Sequence, residues 1–130
     1  MPHVVVEYSA NLEAEVAPRR LIERIHAAVV ATGVFPLGGV RTRAERRDVY
    51  CVADGDPDNA FVAILIRIGR GRDEDTRRRV SQAVLAALAE ETHAVFSRRG
   101  LSLSVEIQEI DEAGASRKNN LHERLGAGKA

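Results

Sequence analysis

The chain has 130 residues, which suits one domain spanning residues 1–130, and carries 19 basic and 19 acidic side chains. This balance gives no sign of nucleic acid as a partner, and the absence of tryptophan argues against a base-stacking surface. The single cysteine, Cys51, excludes an internal disulfide and is expected to be a small core residue. No signal peptide follows Met1 and no apolar run is long enough for a membrane span, so we expect a cytoplasmic protein without membrane contact.

The first half of the chain predicts a strand followed by a helix. Residues 2–8 include three consecutive valines, which is typical of a strand buried on both faces. Residues 9–17 are small or polar and predict a loop, after which Pro18 suits the first turn of a helix. Gly33 is expected to end this helix. Its buried stripe is predicted from apolar residues at helical spacing: Leu21, Ile22, Ile25, Ala28 and Val29.

Pro2 suggests a chemical role for the start of the chain. Methionine before a small residue is normally removed, so the mature chain is expected to begin at Pro2. The nitrogen of an internal proline has no basicity, whereas a terminal proline is a secondary amine that can accept a proton. The following strand would hold this nitrogen at the edge of a core. The simpler interpretation, that Pro2 only favours trimming and begins a strand, stays open on these residues alone.

The middle of the chain predicts strands joined by a turn. Residues 40–53 predict one strand, or two short strands broken near residues 45–47, with residues 49–52 as the apolar part. Residues 54–59 predict a turn. Their acidic spacing resembles half of a calcium loop, but Leu65 stands where the loop needs a glutamate, so we expect no metal site there. Residues 61–68 are the most apolar run and predict a central strand.

A second helix and a last strand follow. The Gly-Arg-Gly-Arg run at residues 69–72 could meet an anion, although a plain strand-to-helix turn explains it as well. A helix is predicted from about Asp73 to Gly100. Residues 101–108 alternate and predict a strand with one buried face, and residues from about 111 to 130 form a polar C-terminal tail. The helix is expected to bury Val80, Val84, Ala87, Leu88 and Val95.

These elements predict an α+β fold made of two β-α-β units. Right-handed crossovers place both helices on one face of a mixed four-stranded sheet. The other face would still carry apolar side chains from the strands at residues 4–6 and 61–68. Because two helices cannot cover both faces, we expect an oligomer.

Several blocks of sequence together resemble one known family. The start, Pro-His-x-x-Val-Glu-Tyr-Ser at residues 2–9, is similar to the start of 5-carboxymethyl-2-hydroxymuconate Δ-isomerases of the tautomerase superfamily. The resemblance continues in Ala-Thr-Gly-Val-Phe-Pro-Leu-Gly-Gly-Val-Arg-Thr-Arg at residues 31–43 and in Ile-Gly-Arg-Gly-Arg at residues 68–72. Shorter blocks lie at residues 53–55, 60–62, 105–109 and 118–120, in the family's order.

The resemblance implies a fold, an assembly and an activity. It implies a homotrimer of tautomerase-like chains that ketonise an unsaturated 2-hydroxy dienoic di- or triacid in aromatic catabolism, with no cofactor and no metal. It implies that Pro2 is the general base and that Arg41 and Arg72 bind the carboxylates of this small-molecule substrate. Five further arginines are expected to be solvated or to lie at an interface: Arg43, Arg46, Arg47, Arg67 and Arg70. The arginine-rich residues 44–47 and the aromatic Tyr50 depart from the family's pattern, which bears on substrate preference.

Two other classes of function fit the sequence. A related tautomerase, decarboxylase or hydratase acting on a similar acid would use the same Pro2, Arg41 and Arg72. A non-catalytic α+β binding or assembly domain would need neither a free Pro2 nitrogen nor both arginines. Whether Met1 is removed separates this last class from the others.

Overall fold

The chain folds into two β-α-β units that share one four-stranded sheet, which confirms the predicted α+β architecture. A computed structural model describes residues 1–129, with the backbone alone described for residues 127–129. The first unit contains β1 (His3–Ser9), α1 (Pro18–Ala31) and β2 (Arg41–Arg47). The second contains β3 (Ala60–Ile68), α2 (Glu74–Glu91), the short α3 (His93–Phe96) and β4 (Leu101–Glu109), and α4 (Leu121–Lys129) follows.

The sheet has the strand order β2-β1-β3-β4. Within each unit the two strands are parallel, and the units join through the antiparallel pair β1 and β3. The register pairs His3 with Arg41 on one side and with Arg67 on the other. This register places the start of β1 beside the start of β2 and the end of β3, so residues far apart in sequence meet at one edge.

The helices cover one face of the sheet. Alternate residues of β1 and β3, such as Val4, Val6, Ile64 and Ile66, are buried beneath α1 and α2. The apolar stripe of α1 contributes Leu21, Ile25 and Val29. Asp73 begins α2 by accepting a hydrogen bond from the backbone N–H of Thr76 at 2.8 Å, which satisfies one of the helix's free donors.

The opposite face of the sheet, which we call the open face, consists of Val5, Phe61, Ala63 and Leu65 at its centre. These side chains are only partly buried in the single chain. Arg47 lies at the β2 side of this face and pairs with Glu7 at 2.6 Å and with Glu45 at 2.5 Å. In the described part of the chain no helix packs on this face, so its apolar centre is available to another surface.

The prediction for residues 48–53 was wrong. The second strand ends at Arg47 because its partner β1 ends opposite it at Ser9, and the apolar run that follows is not a strand. Val49 is 96% exposed. Cys51, expected in the core, is exposed. Tyr50 folds back so that its ring meets Phe61 edge-on at 6.1 Å between centroids.

The second helix is also shorter than its periodicity predicts. Thr92 interrupts it, with φ −106° and ψ 11°, and its hydroxyl donates to the Leu88 carbonyl at 2.8 Å. Val95 then lies in α3 and is still buried. The chain therefore keeps the predicted apolar stripe on two helices instead of one.

The polar tail contains structure that its amino-acid pattern does not predict. A 3-10 turn at Glu112–Gly114 precedes α4. The Asn119 side chain accepts a hydrogen bond from the backbone N–H of Leu121 at 2.6 Å and donates one to the Gly38 carbonyl at 2.9 Å. The tail is thus attached to the 3-10 turn at Leu37–Gly39, just before β2. No helix in the described residues is long and apolar enough to cross a membrane.

Candidate active site

The start of the chain lies inside the fold. Pro2 is buried, and its carbonyl accepts a hydrogen bond from the backbone N–H of Arg41 at 3.1 Å. Met1 precedes it and is half-buried. Because Met1 is attached, the nitrogen of Pro2 is an amide in this structure, and the amine of Met1 is the basic group nearest to it.

Met1 lies in a cleft of about 650 Å³, a size typical of small-molecule sites. One wall is formed by the strand residues His3, Arg41 and Arg67, and the other by residues 110–118, which we call the wall segment. Among the described residues that line the cleft, four have cationic side chains, namely Arg41, Arg67, Arg117 and Lys118, and one, Asp111, has a carboxylate. The excess of positive charge suits an acidic ligand.

Gly38 and Gly39 each lie in close contact with a terminal segment of the described chain. Gly39 contacts Met1, and Gly38 contacts His122 in α4. A β-carbon on Gly39 would lie 2.6 Å from the Met1 nitrogen and 2.8 Å from the Met1 oxygen. A β-carbon on Gly38 would lie 2.9 Å from the backbone nitrogen of His122. Real β-carbons essentially never come so close to other atoms, so these positions need glycine for the backbones to meet.

The cleft favours the neutral form of the terminal amine. Burial lowers the pKa of the Met1 amine below its usual 8.0, and the charges of Arg41, Arg117 and Arg72 lower it further. Glu112 opposes them by raising the same pKa. Burial also lowers the pKa of His3 below 6.5, with help from Arg43 and Arg41. A neutral amine is the form that accepts a proton, so the site is suited to a base.

The three predicted site residues differ in how they relate to the cleft and its amine. Arg41 lines the cleft, and its guanidinium donates to the Gly39 carbonyl at 3.2 Å. Arg72 does not line the cleft; its guanidinium lies 4.9 Å from the centre of the Phe35 ring and donates to the Gly69 carbonyl at 3.4 Å. Pro2 and Arg41 therefore meet directly, whereas Arg72 acts on the amine only through its charge.

The other arginines separate into two groups. Arg46 pairs with Glu13 at 2.7 Å and with Asp48 at 2.8 Å, and Arg47 pairs across the open face, so neither lines the cleft. Arg67, expected to be a solvated or interface residue, is exposed and also lines the cleft. Arg117 and Lys118 were missed because they belong to the polar tail. Only the Lys-Asn-Asn block at residues 118–120 marked this part of the tail.

The described residues contain no group of three or more histidine, cysteine, aspartate or glutamate side chains placed to hold a metal ion. The cleft contains the amine of Met1, the ammonium of Lys118 and several guanidinium groups. These groups can bind an anionic molecule and move a proton.

Comparison with known proteins identifies the family. The family model described as 5-carboxymethyl-2-hydroxymuconate isomerase matches residues 2–125. The chain belongs to this family. It is 34% identical over 122 residues to the Escherichia coli 5-carboxymethyl-2-hydroxymuconate Delta-isomerase, covering 94% of this chain and 97% of that protein.

Solved structures agree with the family assignment. A crystal structure of a 5-carboxymethyl-2-hydroxymuconate isomerase from Deinococcus radiodurans R1 is similar at a TM-score of 0.87 and 39% identity, covering 95% of this chain and 93% of that one. A fused 4-OT protein, described as a symmetric trimer, matches at a TM-score of 0.61 and 18% identity, over 88% of this chain and 90% of its own. The second likeness shows the tautomerase fold alone. The family's members are isomerases, as the resemblance in the sequence implied.

Proposed function

We propose that the protein ketonises an unsaturated 2-hydroxy dienoic di- or triacid such as 5-carboxymethyl-2-hydroxymuconate, with Pro2 as the general base. The observation that carries the proposal is the position of the terminal amine in a cationic cleft that lowers its pKa. Membership of the isomerase family supports the substrate class, because the curated relative is named for this acid.

Removal of Met1 would give Pro2 a free secondary amine beside the place that Met1 occupies in the cleft. Pro2 is buried, so the same desolvation that lowers the pKa of the Met1 amine would favour a neutral Pro2 nitrogen. This nitrogen takes the proton of the substrate's 2-hydroxyl group. The electron pair of that O–H bond forms the carbonyl, the double bonds shift by one position, and the proton returns to the carbon at the far end of the diene. No other reactant is consumed.

Arg41 and Arg72 have separate tasks in this proposal. Arg41, at the start of β2, presents its forked donors to a substrate carboxylate and to the oxygen on which negative charge develops. Arg72 is held by Phe35 and Gly69, and in this position it contributes a fixed positive charge near the amine. To bind the substrate directly, its guanidinium would have to leave the Phe35 ring. Both roles favour a neutral base and an ionised substrate in the same cleft.

The proposal includes a homotrimer. The open face has an apolar centre that another surface would have to cover, and the ion pairs of Arg47 with Glu7 and Glu45 border it at the β2 side. The family resemblance implies a trimer, and a more distant protein of the same fold is described as a symmetric trimer. We propose that the open faces of three chains pack together, which leaves the cleft at the edge of each sheet.

The test is to block the Pro2 nitrogen without changing the fold. One variant has an extra residue inserted between Met1 and Pro2, and intact mass verifies that the inserted residue is retained. This variant should lose about 10²-fold or more in kcat/KM for dienol ketonisation. The comparison is the chain that begins at Pro2. Pro2→Ala keeps a terminal amine and should retain part of the activity. Circular dichroism should be the same for all three proteins, and full activity in the extended chain would rule out Pro2 as the base.

A further inference from the structure

The wall segment carries Arg117 into the cleft on a backbone that is fixed at both ends. At its start, the Ile110 N–H donates to the Ile68 carbonyl at 2.7 Å, which continues the end of the sheet. Just beyond its end, the Asn119 side chain donates to the Gly38 carbonyl at 2.9 Å. The 3-10 turn between them is closed by Asp111, which accepts from the Ala113 N–H at 3.1 Å. A side chain on such a segment is positioned before a ligand arrives, which reduces the entropy lost on binding.

Arg117 already binds a carboxylate at the rim of the cleft. Its two terminal guanidinium nitrogens both donate to Glu112 Oε2 at 3.1 Å. The two side chains are 43% and 46% exposed. A pair this exposed contributes little to stability, so another carboxylate can replace Glu112 at small cost.

The proposed reaction assigns no group of the substrate to Arg117. Arg41 serves the reacting end of the substrate, on the strand wall of the cleft. Arg117 stands on the other wall. A muconate has two carboxylates, and a carboxymethyl substituent adds a third. The charge of Arg117 also lowers the pKa of the terminal amine, which shows that its field reaches the place where the base acts.

We propose that Arg117 determines specificity for a triacid over a diacid by binding the third carboxylate of the substrate. On binding, its guanidinium exchanges Glu112 for that carboxylate. The inference rests on the proposed function for its substrate class and adds a residue to that site. Arg117 suits this task better than its neighbour Lys118, because a guanidinium binds a carboxylate through a planar fork and an ammonium does not.

The test measures binding, so that it does not depend on turnover. Isothermal titration calorimetry compares adipate, a saturated diacid, with its carboxymethyl-substituted triacid, on the full chain beginning at Pro2. Arg117→Gln should weaken binding of the triacid about tenfold or more, the usual effect of losing a hydrogen bond between charged groups, and should weaken adipate binding much less. The matched control is Arg78→Gln, since Arg78 is another exposed arginine with a single carboxylate partner, Asp75 at 2.8 Å. It should change neither.

A second variant separates ligand binding from a structural role. If Arg117 only holds the wall segment through its ion pair, then Glu112→Gln should impair triacid binding as much as Arg117→Gln does. If Arg117 binds the ligand, Glu112→Gln should keep or improve the preference for the triacid. Equal losses in the two variants, or an unchanged preference in Arg117→Gln, would overturn the inference. Absence of ketonisation by a wild-type chain that still prefers the triacid would instead count against the proposed reaction.

Discussion

Gly39 sits against the residue that precedes the proposed base, so a single methyl group there tests the geometry of the site. The β-carbon of an alanine at this position would lie 2.6 Å from the Met1 nitrogen, whereas ordinary contacts begin near 3.4 Å. The backbone of Gly39 is not in the left-handed region, so alanine is not excluded by its φ angle. In the chain that lacks Met1, the methyl group would fill space beside the Pro2 nitrogen that a substrate must enter.

The expected effect follows from the size of this overlap. A substrate atom that takes the place of the Met1 nitrogen would meet the same methyl group and would have to move away by about 1 Å. A misplacement of that size costs about 10²-fold in rate. We therefore expect Gly39→Ala to lower kcat/KM about 10²-fold in a ketonisation assay, in a chain shown by intact mass to begin at Pro2. Gly126→Ala is the control, because a β-carbon there would meet nothing within 4 Å. Unchanged kcat/KM in a folded Gly39→Ala chain would show that the base does not lie beside Gly39.

Two further predictions concern the arginines and the assembly. A protonated amine cannot act as base, so kcat/KM should fall as the pH drops through the pKa of Pro2. The charges of Arg41 and Arg72 lower the pKa of the Met1 amine, and we expect them to act in the same way on a terminal Pro2. Arg41→Gln should therefore move this acid limb to higher pH, with about 10²-fold lower kcat/KM on the plateau. Arg72→Gln should move the limb in the same direction but less, and Arg78→Gln should not move it. For the assembly, light scattering should give about three times the 14.2 kDa chain mass. The variant Leu65→Glu, on the open face, should give smaller species. A monodisperse wild-type monomer would contradict the trimer.

The sequence predicted the fold well where a periodic pattern was tied to burial. The stripe of α1 buries Leu21, Ile25 and Val29 as its spacing predicted. The valine run forms β1 as predicted, but only Val4 and Val6 are buried in the single chain, and Val5 on the open face is partly buried. The apolar run at residues 49–52 misled because strand formation also needs a partner, and β1 offers none beyond Ser9. Apolar composition alone cannot distinguish a strand from a segment that is exposed in the single chain.

Only part of the site could be predicted from the sequence, because some of its residues are placed by contacts between distant parts of the chain. Arg41 lies within a recognisable block at residues 31–43, and the register of β1 and β2 brings it to Pro2. Arg117 lies in a polar tail without periodicity, and its place in the cleft depends on long-range contacts such as the one between Asn119 and Gly38. Such contacts depend on single polar atoms, so no local sequence pattern predicts them.

The meeting of both ends of the described chain at Gly38 and Gly39 has a consequence for how the protein is made. The hydrogen bond between Asn119 and Gly38 joins residues 81 positions apart, and residues 110–118 supply a whole wall of the cleft. During synthesis the amino end leaves the ribosome first. The proposed base therefore lies in an incomplete site until residues 110–118 have also emerged. Contacts of such high sequence separation are slow to form. A chain that ended at Glu109 would contain both β-α-β units but would lack the wall segment of the cleft.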